Sequence, residues 1–185
     1  MNEDDLLRLI ETQTVERKSS LAERREGLEA LDAMINADVG RGVVLFGVRP
    51  TGEVVGIEEG NADTAQRSLA DHIRHKFSPQ ITFEIQVVER PGRPVLVISG
   101  TRDPSVPLVE YDGRAFIREG PSQRQLTLPQ KLQIIRRRDR SQHPGPWRCD
   151  RCGSWVGHLV SYELSDGGLK ANYSCGCGGE YWPAT

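Results

Sequence analysis

Two groups of side chains in this 185-residue chain have the types and spacings to do chemistry. The first is a set of four cysteines. Cys149-Asp150-Arg151-Cys152-Gly153 and Cys175-Gly176-Cys177-Gly178-Gly179 form two tight, glycine-bearing knuckles. Tetrahedral zinc takes four soft ligands, two from each of two such turns, and glycine lets backbone amides face the thiolates. The alternative is disulfide pairing, which needs an oxidising compartment. Because a CxC half is less standard than CxxC, His143 and His158 stand as possible substitute ligands. A closed cage of four thiolates keeps no position for water, so its role would be structural.

The second group is Glu11, Glu16 and Lys18. Two carboxylates brought together can hold Mg²⁺ or Mn²⁺, and a lysine beside them can stabilise the charge that develops on a phosphate during cleavage. The competing reading is a surface salt bridge, which a Glu-x-Lys on a strand commonly makes. A looser cluster lies further along: Lys131, Arg136, Arg137, Arg138, Arg140, Arg148 and Arg151, opposed locally only by Asp139 and Asp150. Such a run can contact phosphates, or it is a solvated helix face or charged linker. His72 and His75 are three apart on an expected helix with no third ligand evident, and read as exposed polarity.

These groups need elements to position them. Asp4 to Ile10 reads as a short helix and Thr14 to Ser19 as a strand, with Val15 and Arg17 on one face and Glu16 and Lys18 on the other. Leu28, Leu31, Met34 and Ile35 at helical spacing predict a longer helix that ends near Asn36 to Gly40. Val43 to Val48 is a buried strand, and Val54 to Ile57 its expected hairpin partner across Pro50-Thr51-Gly52. Ala65, Leu69, Ile73 and Phe77 mark another helix, closed by Pro79. Ile81 to Val88 and Val95 to Ile98 are strands joined through Pro91-Gly92-Arg93, and Asp112-Gly113 is a strong hairpin signal between 108–111 and 114–117. Thr127 caps a last helix, with Pro129 in its first turn and Gln130 in capping-box position.

The expected fold class is α+β: a mixed or antiparallel sheet with flanking helices over residues 1–140, then a small zinc-ribbon module over 141–185. In that module, His158 to Leu164 and Leu169 to Tyr173 form a hairpin around Asp166-Gly167-Gly168. Trp147, Trp155, Tyr181 and Trp182 serve as its miniature core or, if a subset is exposed, stack on bases. Such a segment is too small to fold on a hydrophobic core alone, so a metal staple suits it.

Composition narrows the class. With 37% hydrophobic and 27% charged residues, the composition is that of a soluble chain, and no apolar run is near the length needed to cross a bilayer. The acidic start, Met1-Asn2-Glu3-Asp4-Asp5, lacks the basic end and apolar core of a secretory signal, so the expected location is the cytoplasm. A net charge of −2 does not by itself advertise a nucleic-acid binder. No GxxxxGK followed by Ser or Thr occurs, so no ATP site of the Walker type is evident.

Glu11-Thr12-Gln13-Thr14-Val15-Glu16-Arg17-Lys18-Ser19 resembles the opening motif of the Schlafen AlbA_2 domain family. Asn36 to Gly42 is similar to that family's helix end, and Leu45 to Val48 with Gly52 to Ile57 to its central hairpin. Pro79 matches a recurrent proline, and Tyr111, Gly113, Phe116-Ile117-Arg118, Gly120 and Ser122 resemble its closing strand and loop. The resemblance spans about residues 6–135 and leaves the zinc module outside.

What the resemblance implies is nucleic-acid binding, with RNA favoured over DNA. In one branch it also implies metal-dependent endoribonuclease activity on transfer RNA through two glutamates and an aspartate. By position, Glu11 and Glu16 match the glutamates and Lys18 the following lysine. The aspartate that often follows the family's Gly-Val is replaced by Arg49-Pro50; Asp38 and Glu53 are near in sequence but out of register. Arg118 and Arg124, with Arg136, Arg137, Arg138 and Arg140, are the expected phosphate contacts. The eukaryotic Schlafen core resembles two such lobes joined, so a one-lobe chain is expected to pair with itself as a homodimer. Three functions compete: a nuclease, a non-catalytic nucleic-acid binder, and a regulatory protein-interaction module.

Overall fold

The computed structural model describes residues 12–57, 62–89, 92–120, 122–142, 147–149, 151, 158–165, 168–174, 177 and 181–183. From residue 139 onward only Arg151 and Cys177 have described side chains. The expected helix over Asp4 to Ile10, and Glu11 itself, lie outside the described residues. The chain forms two compact units, one of Met1–Pro104 with Val109–Thr127 and the other of Ser105–Leu108 with Leu128–Thr185.

The first unit is built on a four-stranded sheet. Strand β1 (Val15–Lys18) runs parallel to β2 (Arg41–Phe46), pairing Glu16 with Val44 and Lys18 with Phe46. A parallel pair needs a crossover connection, and helix α1 (Arg24–Ile35) supplies it. Leu28, Leu31, Met34 and Ile35 on α1 are all fully buried, each contributing roughly 1.5–3 kcal/mol of gross burial energy. The helix sits close to the sheet: a Cβ on Gly27 would lie 2.6 Å from the Phe46 ring. A 3-10 turn, Leu21–Glu23, leads into it. Ser20 Oγ caps that turn by accepting from the Ala22 amide, and Glu23 Oε1 reaches back to accept from the Ser19 amide.

After β2 the chain leaves the sheet at Gly47, whose φ is +96°. The expected hairpin of 43–48 with 54–57 is reduced to one bridge, Val48 with Val54. Instead, Gly47 O accepts from both the Val55 and Gly56 amides, and a Cβ on Gly47 would lie 2.8 Å from the Gly56 carbonyl carbon. Two backbones crossing this closely leave no room for a side chain, which is why an apolar run that promises a longer strand stops here.

Helix α2 (Ala62–Lys76) buries Ala65, Leu69 and Ile73 as expected, but Phe77 already belongs to the two-residue strand β3 (Phe77–Ser78). Strands β4 (Thr82–Val88) and β5 (Val95–Thr101) form the antiparallel hairpin that the sequence predicts, giving the sheet order β1-β2-β5-β4. The outer strand β4 is covered in part by α2, whose Gln66 amide donates to Ile85 O at 2.8 Å. Capping an edge carbonyl in this way discourages pairing with another chain.

Asp112 and Gly113 have φ of 51° and 73°, the paired positive values of a tight primed turn. The strands on either side, however, do not form the expected hairpin beyond a Tyr111–Arg114 bridge. Strand β6 (Glu110–Tyr111) pairs with β3, and β7 (Phe116–Glu119) pairs with β8 (Ser122–Gln125). The turn signal was local and correct; the partners are set by α1. Asp32 Oδ2 accepts from the Phe116 amide at 2.7 Å, while the Asn36 side chain donates to Val109 O and accepts from the Val109 amide.

In the second unit, α3 (Leu128–Gln142) begins directly after Thr127, as the capping pattern predicts. Arg138 donates to Pro107 O at 2.7 Å. Strand β9 (Trp147–Cys149) pairs with β12 (Tyr181–Pro183), and β10 (His158–Ser165) forms the expected hairpin with β11 (Gly168–Ser174). The architecture is α+β, with mixed and antiparallel sheets. Among the described residues no helix is long and apolar enough to cross a membrane.

Candidate functional site

The alternation of β1 places Val15 and Glu16 on opposite faces. Val15 packs with Leu45, Val48, Val88, Val95 and Val97. Glu16 and Lys18 share the other face, beside their register partners Val44 and Phe46, which is the face that α1 covers. Strand β7 reaches the same place. Arg118 lies two residues past buried Phe116, so the two-residue repeat turns it the same way.

The result is a three-member ion cluster. Glu16 Oε1 lies 3.0 Å from Lys18 Nζ, and Glu16 Oε2 accepts from Arg118 Nη1 at 2.9 Å. Side-chain exposures are 11% for Glu16, 16% for Lys18 and 4% for Arg118, so this is a buried cluster and not the surface pair that a Glu-x-Lys commonly makes. It carries one net positive charge. Each carboxylate oxygen faces its own cation and keeps a second lone pair.

Arg17, on the opposite face of β1, is buried and donates to Pro50 O at 3.2 Å. It thereby ties down the loop where a third acid is expected. In that loop Arg49 pairs with Glu53 at 2.6 Å, with both side chains about half exposed. Glu53 lies beyond the Phe46 end of β2, and Asp38 precedes its Arg41 end. Arg124 on β8 is engaged by Glu119, which lowers the Glu119 pKa and raises that of Arg124. In the second unit Arg136 and Arg137 are exposed and Arg138 is buried, while Arg140 lies in α3 with its side chain outside the described residues.

Of the four cysteines, Cys149 is described as backbone at the end of β9, opposite Tyr181 on β12. Cys177 is exposed, and Cys152 and Cys175 lie outside the described residues. Arg151, between the first two cysteines, donates to Cys177 O at 3.2 Å. This bond joins one described residue of each cysteine-bearing segment.

His72, expected as exposed polarity, is instead half-buried and belongs to a second polar cluster. His72 Nε2 and the Tyr111 hydroxyl share a hydrogen bond of 2.9 Å. Burial, then the positive charges of Arg24 and Lys76, hold the His72 pKa below its usual value, and burial pushes Tyr111 up. Asp32 is fully buried as well, and its place among Leu28, Leu31 and Ile35 on the apolar face of α1 is the sequence signal for it.

The family model for Schlafen, AlbA_2 matches residues 11–127. This chain belongs to the Schlafen AlbA_2 family. Within the AlbA_2 domain the match takes in the whole ion cluster and the Asp32–Asn36 pair, and ends one residue before α3. Solved structures similar to this chain include the following two. The N-terminal domain of a RecG-related protein from Nitrosomonas europaea, named for an ATP-dependent DNA helicase, has 22% identity and a TM-score of 0.46. It covers 69% of this chain and 95% of its own. A protein from Corynebacterium diphtheriae has 19% identity and a TM-score of 0.45, over 83% of this chain and 26% of its own. No curated protein matches significantly.

Proposed function

We propose that this AlbA_2 chain is a cytoplasmic nucleic-acid-binding protein that favours RNA over DNA and acts as a homodimer. The family match over residues 11–127 carries the reading. The exposed Arg136 and Arg137 of α3 support it as phosphate contacts, with Arg140 on the same helix. Light scattering that finds a single 20.6 kDa chain at high concentration would remove the homodimer.

A second reading makes the domain a metal-dependent endoribonuclease acting on transfer RNA. Glu11 and Glu16 would hold Mg²⁺ or Mn²⁺, with Lys18 beside the scissile phosphate. The place of Lys18 beside Glu16 is in keeping with it, but a cation on each Glu16 oxygen and Arg49 at the place of the third acid favour the non-catalytic form.

One experiment separates them. Purified protein is incubated with transfer RNA and with single- and double-stranded DNA, in Mn²⁺ or EDTA. Glu11→Gln is the variant of choice, because Glu16 also holds Arg118 and Lys18. Metal-dependent cleavage lost in the variant selects the nuclease. Retention that weakens steeply with salt, without cleavage, selects the binder, since phosphate contacts release counterions. No retention at low salt sinks both and favours the protein-interaction module.

For the second unit we propose a structural zinc site of Cys149, Cys152, Cys175 and Cys177. The adjacency of the knuckles through Arg151 and Cys177 supports it, as does the four-thiolate donor set. Metal analysis should find about one zinc per chain, the stoichiometry of a four-thiolate cage, and none in a Cys149→Ser/Cys175→Ser variant. All three tryptophans lie at 147, 155 and 182, so chelation should shift tryptophan emission while helix α1 stays folded. Full zinc retention in the variant would refute the ligand assignment.

A further inference from the structure

The first unit has a cavity of about 340 Å³ between the Ser20–Arg24 segment and α2, and its lining includes none of Glu16, Lys18 and Arg118. Ser20, Arg24 and Ser68 supply its polar lining, and Leu21, Ala65 and Leu69 its apolar wall. No feature of the opening motif or of the basic run accounts for it.

Its chemistry is that of an anion site. The Arg24 guanidinium has five N–H donors and makes no hydrogen bond or ion pair among the described residues. The nearest acid in sequence, Glu23, turns away to accept from the Ser19 amide. Ser20 Oγ already accepts from the Ala22 amide, which leaves its O–H to donate. The Ser68 hydroxyl has no partner among the described residues and is exposed. One cation and two hydroxyl donors therefore line a single opening, with no carboxylate among the lining residues. Guanidinium with hydroxyl donors matches the geometry of a tetrahedral oxyanion. The volume exceeds what one phosphate needs and lies at the lower end of ligand-site sizes, so the apolar wall can take a sugar or base edge beside it.

We infer that this cavity is a phosphate-group subsite, with Arg24 as its cation and Ser20 and Ser68 as its hydroxyl donors. The choice of phosphate rests on the nucleic-acid reading. The phosphate belongs either to a polynucleotide backbone or to a free nucleotide, and the two are separated by which probe binds.

The test uses the full chain, ¹⁵N-labelled, titrated separately with inorganic phosphate, adenosine 5′-monophosphate and a short single-stranded oligoribonucleotide. The variants are Arg24→Gln and Ser68→Ala, whose amide spectra away from the cavity report that the fold is kept. Saturable shifts at Ser20 to Arg24 and Ala65 to Leu69 with the oligonucleotide are the expected result. Arg24→Gln should then weaken binding roughly tenfold and reduce the salt slope by about one. If the oligonucleotide binds the wild type and Arg24→Gln equally, the subsite is overturned while the nucleic-acid reading stands. Should phosphate and the mononucleotide move the cavity amides while the oligonucleotide binds nowhere, the subsite stands, its source is a free nucleotide, and the polynucleotide reading falls. Cavity amides that none of the three probes moves overturn the inference.

Discussion

Replacing Arg118 with methionine should destabilise the first unit by about 3–5 kcal/mol, the cost of removing one partner from a buried ion pair. Amide exchange of the slowest residues in α1 and β2 is the measurement, because the tryptophans at 147, 155 and 182 report only on the second unit. The reasoning starts from burial. Glu16 and Arg118 have side chains 11% and 4% exposed, and the guanidinium supplies the hydrogen bond to Oε2. Without it one carboxylate oxygen keeps its charge and loses its donor in a place water barely reaches. Lys18 remains 3.0 Å from Oε1 and recovers only part of the loss.

The same physics predicts that Glu16→Leu combined with Arg118→Met should be far milder than Arg118→Met alone. Exchanging both members for apolar groups removes the desolvation penalty together with the attraction. Lys18, the most exposed of the three, can extend its ammonium toward solvent on its apolar stem. A single-variant loss below about 1 kcal/mol, the range of exposed pairs, would mean that water reaches the cluster and that it does not lock β7 to β1. This prediction also bears on function, since a Glu16 variant without cleavage must be shown to keep α1 and β7 in place before the loss is called catalytic.

How much of this was legible in the sequence depended on range. The face assignment of β1 followed from the two-residue repeat, and the burial of Leu28, Leu31, Met34 and Ile35 from helical spacing. The β4–β5 hairpin and the β10–β11 hairpin were also local, each formed by neighbouring segments with a turn signal between them. What local patterns did not reveal was who meets whom. Arg118 stood out as a basic residue in a family-like strand, but its partner Glu16 is 102 positions away. The Asp112-Gly113 turn formed, yet its flanking strands went to β3 and β8, because α1 holds Val109 and Phe116 through polar bonds across 73 and 84 positions. Gly47 was hidden differently: a close crossing of two backbones leaves no periodic trace.

Those long-range bonds carry the second large effect. Asn36 ends α1, and its Nδ2 lies 2.9 Å from Val109 O, 3.2 Å from Phe116 O and 3.2 Å from Asp32 Oδ2, while Oδ1 accepts from the Val109 amide at 3.0 Å. With two hydrogens serving three acceptors, one bond is shared. Asn36 and Asp32 are both fully buried, so no water waits to replace a lost partner. Asn36→Ala should therefore cost on the order of 3–5 kcal/mol, the sum of two or more buried polar groups left unsatisfied. Asn36→Asp separates hydrogen bonding from shape. It preserves the outline of the side chain but turns the donor into an acceptor facing two carbonyls and the Asp32 carboxylate, so it should be at least as damaging as alanine at neutral pH. Thermal unfolding of the three proteins, followed by the exchange of β7 amides, gives the answer. If aspartate is tolerated better than alanine, packing and not the donor holds β7 on α1, and the polar peg is the wrong account of why β7 reaches Glu16.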